Sequence, residues 1–94
     1  MSRAILQVTI RGRVQGIGYR AWLEQQARAS KLEGWVRNRR DGSVEAWVQG
    51  DDAAVERVLD WARRGPGPAR VDRLDVDEVE ADTTLAGFRR VPNA

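Results

Sequence analysis

The stretch Leu32-Glu33-Gly34-Trp35-Val36-Arg37-Asn38-Arg39-Arg40-Asp41-Gly42-Ser43-Val44-Glu45-Ala46-Trp47-Val48-Gln49 decides the fold, because its side chains choose between two hairpin registers. It reads as two strands, Leu32 to Arg39 and Ser43 to Gln49, joined at Arg40-Asp41-Gly42. A two-residue Asp-Gly turn would pair Arg40 with Ser43 and set Trp35 opposite Val48. Val44, Ala46 and Val48 would then share a face with Arg37 and Arg39, mixing apolar and charged sets. A three-residue loop with Gly42 in the left-handed conformation pairs Arg39 with Ser43 instead. Gly34, Val36 and Asn38 then join Val44, Ala46 and Val48 on one face, and Trp35 meets Trp47 on the other. The second register is the one expected.

Upstream of the hairpin, Ile5 to Arg13 alternates, with Leu6, Val8 and Ile10 on one face and Gln7, Thr9 and Arg11 on the other. Gly12, Gly16 and Gly18 break that pattern with a flexible loop. From Tyr19 the period becomes helical through Trp22, Leu23, Gln26 and Ala27, so a helix is predicted to about Ser30. Downstream, Asp51 or Asp52 can cap a second helix whose apolar stripe is Val55, Val58, Leu59 and Ala62. Gly65-Pro66-Gly67-Pro68 ends it. Leu74 and Val76, alternating with Arg73, Asp75 and Asp77, predict a fourth strand, and Gly87 to Val91 a possible short fifth. The order β-α-β-β-α-β is the ferredoxin-like pattern of the α+β class, an antiparallel sheet with both helices on one face. Residues 1–94 are expected to form one domain, and the fold alone says little about activity.

The 94 residues contain no Cys and no His. Disulfides, thiolate or imidazole nucleophiles and zinc sites of the usual ligand types are therefore excluded. No carboxylate spacing resembles a calcium or magnesium loop. Chemistry must come from Arg, Asn, carboxylates, hydroxyls and backbone amides. The 16 cations, all Arg except Lys31, are interspersed with 14 acids for a net charge of +2, which lacks the concentrated basic face of a nucleic-acid binder. No apolar run approaches the ~20 residues of a membrane span. Met1-Ser2-Arg3-Ala4 leads directly into strand-like sequence without the apolar segment of a signal peptide, so a cytoplasmic location is expected.

In this fold the first two strands run parallel, so the Gly-rich loop and Asn38 should lie at the same edge of the sheet. The register adds that Asn38 points to the helix-covered side, where the first helix begins. A Gly-rich turn feeding a helix N-terminus presents backbone N–H groups to an anion. Arg20 lies in the first turn, where the macrodipole disfavours a cation. A phosphate between them would make that placement favourable, since guanidinium grips phosphate oxygens in a bidentate fork. By themselves the loop and Arg20 are better explained by a tight turn and a solvated side chain. Asn38 alone could simply satisfy hairpin backbone groups; beside an anion loop, its amide could orient a water.

Gly12-Arg13-Val14-Gln15-Gly16-Ile17-Gly18-Tyr19-Arg20, followed by Gly34-Trp35-Val36-Arg37-Asn38, resembles the acylphosphatases. The spacing of the two motifs, Gly42, Gly50 and Ala69-Arg70-Val71-Asp72 fit as well, so the resemblance spans nearly the whole chain. It implies hydrolysis of a small-molecule acyl phosphate to carboxylate and phosphate, without metal or cofactor. It further implies that Arg20, with the loop amides of Gln15, Gly16, Ile17, Gly18 and Tyr19, binds the phosphoryl group, and that Asn38 positions water. The chain departs from the family at Phe88-Arg89-Arg90-Val91-Pro92, polar and interrupted by Pro where members often carry a more apolar strand.

Three other readings compete. A carbamoyl-phosphate-handling module, as at the N-terminus of hydrogenase-maturation carbamoyl transferases, would be embedded in a long chain with Cys-rich segments, whereas this sequence stops at Ala94. A small RNA-binding domain of the same topology would carry more central-strand aromatics than Trp47 alone. A catalytically idle domain has no need of the Arg20/Asn38 pair. No nucleic-acid or membrane partner is expected, and the lack of an exposed apolar stripe points to a monomer.

Overall fold

The computed structural model describes residues 2–94. Its elements are β1 (Arg3–Arg13), α1 (Tyr19–Ala29), β2 (Glu33–Asn38), β3 (Val44–Asp51), α2 (Asp52–Arg64), β4 (Arg70–Glu78) and β5 (Phe88–Arg90). They form one sheet in the order β4-β1-β3-β2-β5. This is the ferredoxin-like arrangement read from the sequence, with one difference. The fifth strand forms, and it pairs parallel to β2, so the sheet is mixed rather than purely antiparallel.

The hairpin takes the three-residue register. Trp35 lies opposite Trp47 and Asn38 opposite Val44, and the ladder closes with Arg39 N donating to Ser43 O at 2.9 Å. Gly42 has φ 91°, a conformation that would strain any residue with a Cβ. Asp41 secures the turn: its Oδ1 accepts from the amide and hydroxyl of Ser43, and its Oδ2 from Arg11 Nη1. These donors hold its carboxyl at about 2, below the usual carboxylate range. With this register, Val36, Val44, Ala46 and Val48 join Val8 and Ile10 on the helix-covered face, each 2 % exposed or less.

Each helix contributes a stripe to that core, Tyr19, Leu23 and Ala27 from α1 and Ala54, Val55, Val58, Leu59 and Ala62 from α2. Full burial of each Val or Leu is worth about 1.5–3 kcal/mol, enough to fix which face each helix presents. The Tyr19 hydroxyl donates to Ala62 O at 2.6 Å, joining the two helices where the ring is buried. Of the two candidate caps, Asp51 serves α2 by accepting from Ala54 N.

β4 and β5 occupy opposite edges of the sheet, so the chain between them must cross it. It crosses on the side away from the helices. Gln49 Nε2 donates to Asp82 O at 2.9 Å, and Asp82 N donates back to Gln49 Oε1 at 3.1 Å. Trp47 Nε1 donates to the same Oε1 at 3.0 Å, and Trp47 packs on Trp35 with ring centroids 6.3 Å apart. The second sheet face is thus partly covered, and its aromatics are engaged with protein.

Candidate active site

β1 and β2 both run antiparallel to β3, which lies between them, so they are parallel and end at the same edge. Ile10, Val44 and Asn38 form one row across the three strands. The chain leaves β1 three residues beyond that row and turns through the Gly-rich loop. A one-residue slip in the β1–β4 pairing at Arg11/Gly12 marks a bulge just before the turn. The loop then enters α1 at Gly18, whose φ of 83° makes it a left-handed N-cap without a side-chain acceptor.

The contrast with α2 is informative. There Asp51 satisfies an amide of the first turn, whereas α1 has neither a side-chain cap nor an acidic residue in its first turn. Among the described residues, no backbone N–H from Gln15 to Tyr19 donates to a protein acceptor. Uncapped amides at a positive helix terminus are a ready anion site.

A cleft of about 80 Å³ opens at this point. Gly16, Gly18, Tyr19, Arg20 and Asn38 line it, so the loop, the first turn of α1 and the end of β2 converge as expected. Its charged lining residues are Arg20 and Arg90, with no carboxylate. Arg20 Nη1 approaches Asn93 Oδ1 at 3.4 Å. The Asn38 side chain makes no hydrogen bond among the described residues, and its Oδ1 is a buried acceptor left without a partner. Buried polar atoms are nearly always paired, and exceptions concentrate where a ligand or water completes the set.

Gln15, Ile17 and Tyr19 take other places with their side chains. Gln15 Nε2 donates to Arg39 O and Ser43 O, both at 2.8 Å, and so ties the loop to the β2–β3 turn. Ile17 packs against the core. Tyr19 is buried, and burial pushes its phenol well above its ordinary value, so it stays protonated. Only the backbone amides of these three could face an anion. Arg90 and Asn93 escape the sequence reading, which places a possible short strand at Gly87 to Val91 but names no partner strand for it. The alternation of Phe88 with Arg90 was the available signal, since a buried Phe88 brings Arg90 to the same face.

The Acylphosphatase family model matches residues 6–90 of this chain. An acylphosphatase from Bradyrhizobium diazoefficiens is 61% identical over 82 residues, covering 87% of this chain and 83% of that one. The crystal structure of acylphosphatase from Bacillus subtilis superposes with a TM-score of 0.89 at 30% identity, over 96% of this chain and 99% of that chain. Full-length HypF in its phosphate- and nucleotide-bound form gives a TM-score of 0.88 at 26% identity, over 98% of this chain but only 12% of that one. With a match across most of its length and a relative at this identity, the chain belongs to the acylphosphatase family.

Proposed function

We propose that this protein hydrolyses acyl phosphates to a carboxylate and inorganic phosphate, with Arg20 and the amides of Gln15 to Tyr19 gripping the phosphoryl group and Asn38 orienting the water. The observation that carries the reading is the unpartnered Asn38 Oδ1, buried in the same cleft as Arg20 and the uncapped helix end. Such an acceptor suits a water that must be aligned as well as held.

An acyl phosphate has a carboxylate leaving group, which departs without strong acid assistance. Phosphoryl transfer then needs positioning and charge stabilisation more than covalent work by the protein. Arg20 and the loop N–H groups spread over the three phosphoryl oxygens and stabilise charge as it shifts. Asn38 Oδ1 accepts from the attacking water and fixes it in line with the leaving oxygen. The water oxygen bonds to phosphorus, the bond from phosphorus to the acyl oxygen breaks, and the electron pair leaves on the carboxylate. With no carboxylate lining the cleft and the Tyr19 phenol held protonated, the proton passes to a phosphoryl oxygen of the substrate. No step calls for a metal or cofactor.

We infer further that the enzyme acts as a cytoplasmic monomer without a nucleic-acid partner. Among the described residues no helix is long and apolar enough to cross a membrane, and Trp35 and Trp47 stack on each other. The test is turnover of benzoyl phosphate in the presence of a strong chelator. Wild type should hydrolyse it, and Arg20→Ala should lose ~10²–10³ in kcat/KM. Activity that vanished on chelation and returned with magnesium would overturn the scheme.

A further inference from the structure

β5 brings a second guanidinium to the cleft. Phe88 is buried, and Arg90, two residues on, lies opposite Val36 on the same face. Asn38 lies two residues further along β2, which is how Arg90 comes to line one cleft with Asn38 and Arg20. Arg90 Nε approaches Glu24 Oε1 at 3.4 Å, and Glu24 Oε2 also pairs with Arg28 Nη2 at 3.0 Å. One largely buried carboxylate therefore orients two arginines, leaving local positive charge uncompensated. The Arg90 side chain is 50% exposed, against 13% for Glu24, so a half-exposed cation lines the cleft while its carboxylate partner is largely buried.

At about 80 Å³ the cleft suits a phosphoryl group, and the acyl portion of a substrate must lie at the mouth. An apolar acyl chain finds little there to bury against. Of the apolar side chains that line the cleft, Val14 and Tyr19 are each 1% exposed and already committed to the core. What the mouth offers is a cation whose planar fork matches a carboxylate. We infer that Arg90 is a specificity-determining residue that favours acyl phosphates whose acyl portion carries a second negative charge, such as the monoacyl phosphate of a dicarboxylic acid. The inference deepens the proposed hydrolysis and rests on it.

Succinyl phosphate and butyryl phosphate form a matched pair of equal chain length, a terminal carboxylate in one replacing a methyl in the other. At low ionic strength, wild type should favour succinyl phosphate in kcat/KM by about three- to fivefold, the upper end of the range for a solvent-exposed ion pair. The preference should lie in KM and fade with added salt. Arg90→Gln should bring the ratio to about one, and Arg90→Lys should keep part of it. A wild-type ratio of one or below, or a ratio that Arg90→Gln leaves unchanged, would overturn the inference while hydrolysis itself stood. Failure of wild type to hydrolyse either compound would overturn the hydrolase reading, and this inference with it.

Discussion

Asn38→Ala separates catalysis from folding, because the two roles open to this side chain predict opposite changes in stability. As a water-orienting group it is a cost to the fold. Its Oδ1 is buried without a protein partner, and of the roughly 1–3 kcal/mol that a buried unsatisfied acceptor costs, the water it holds returns only about 1 kcal/mol. The backbone bond at this position, Ala94 N donating to Asn38 O at 3.0 Å, survives truncation. Loss of side-chain packing offsets roughly 1 kcal/mol of the gain. Stability should therefore be unchanged or rise by up to about 1 kcal/mol, which for a domain of this size is a Tm increase of up to roughly 4–8 °C. Turnover should fall by ~10²–10³, with a smaller change in KM. Had Asn38 been a turn-stabilising residue, truncation would instead cost about 0.5–1.5 kcal/mol and leave kcat alone. The assay is thermal and urea unfolding in phosphate-free buffer beside kcat on benzoyl phosphate. A lowered Tm with wild-type kcat would refute the assignment.

Two further perturbations probe what holds the site together. Gln15→Ala removes the donor shared by Arg39 O and Ser43 O, and should cost roughly 1–3 kcal/mol in urea unfolding and raise KM as the loop loosens; an unchanged midpoint would show the tie to be idle. Asp41 has a folded-state value of about 2, set first by the Ser43 hydroxyl and amide and then by Arg11, below an ordinary value of 3.8. Its contribution is thus fully present above the ordinary value and is lost as pH falls through about 2. Asp41→Asn should flatten the decline of Tm across that acid window, and an acid limb identical to wild type would contradict the turn chemistry.

The hydrophobic pattern set the hairpin register by itself. Alternation along a strand is local, so Val36, Asn38, Val44 and Ala46 could be assigned to one face before any contact was known. Gly42 then selected the loop, since the left-handed position there favours a residue without a Cβ. From register and strand direction it followed that Asn38 meets the Gly-rich loop, and the cleft bears that meeting out. Tertiary structure decided what depends on distant partners. β5 is three residues long, contains two arginines and lies just before Val91-Pro92, so the sequence marks it as no more than a possible short strand and names no partner for it. It exists because β2 offers an open edge, the helix-covered core accepts Phe88, and Arg28 Nε donates to Phe88 O at 2.8 Å. The same non-local pairing carries Arg90 into the cleft. Gln15 is a comparable case, a loop residue whose side chain found its acceptors 24 and 28 residues away. Local periodicity encodes which way a side chain points, whereas only chain closure in three dimensions determines what it meets.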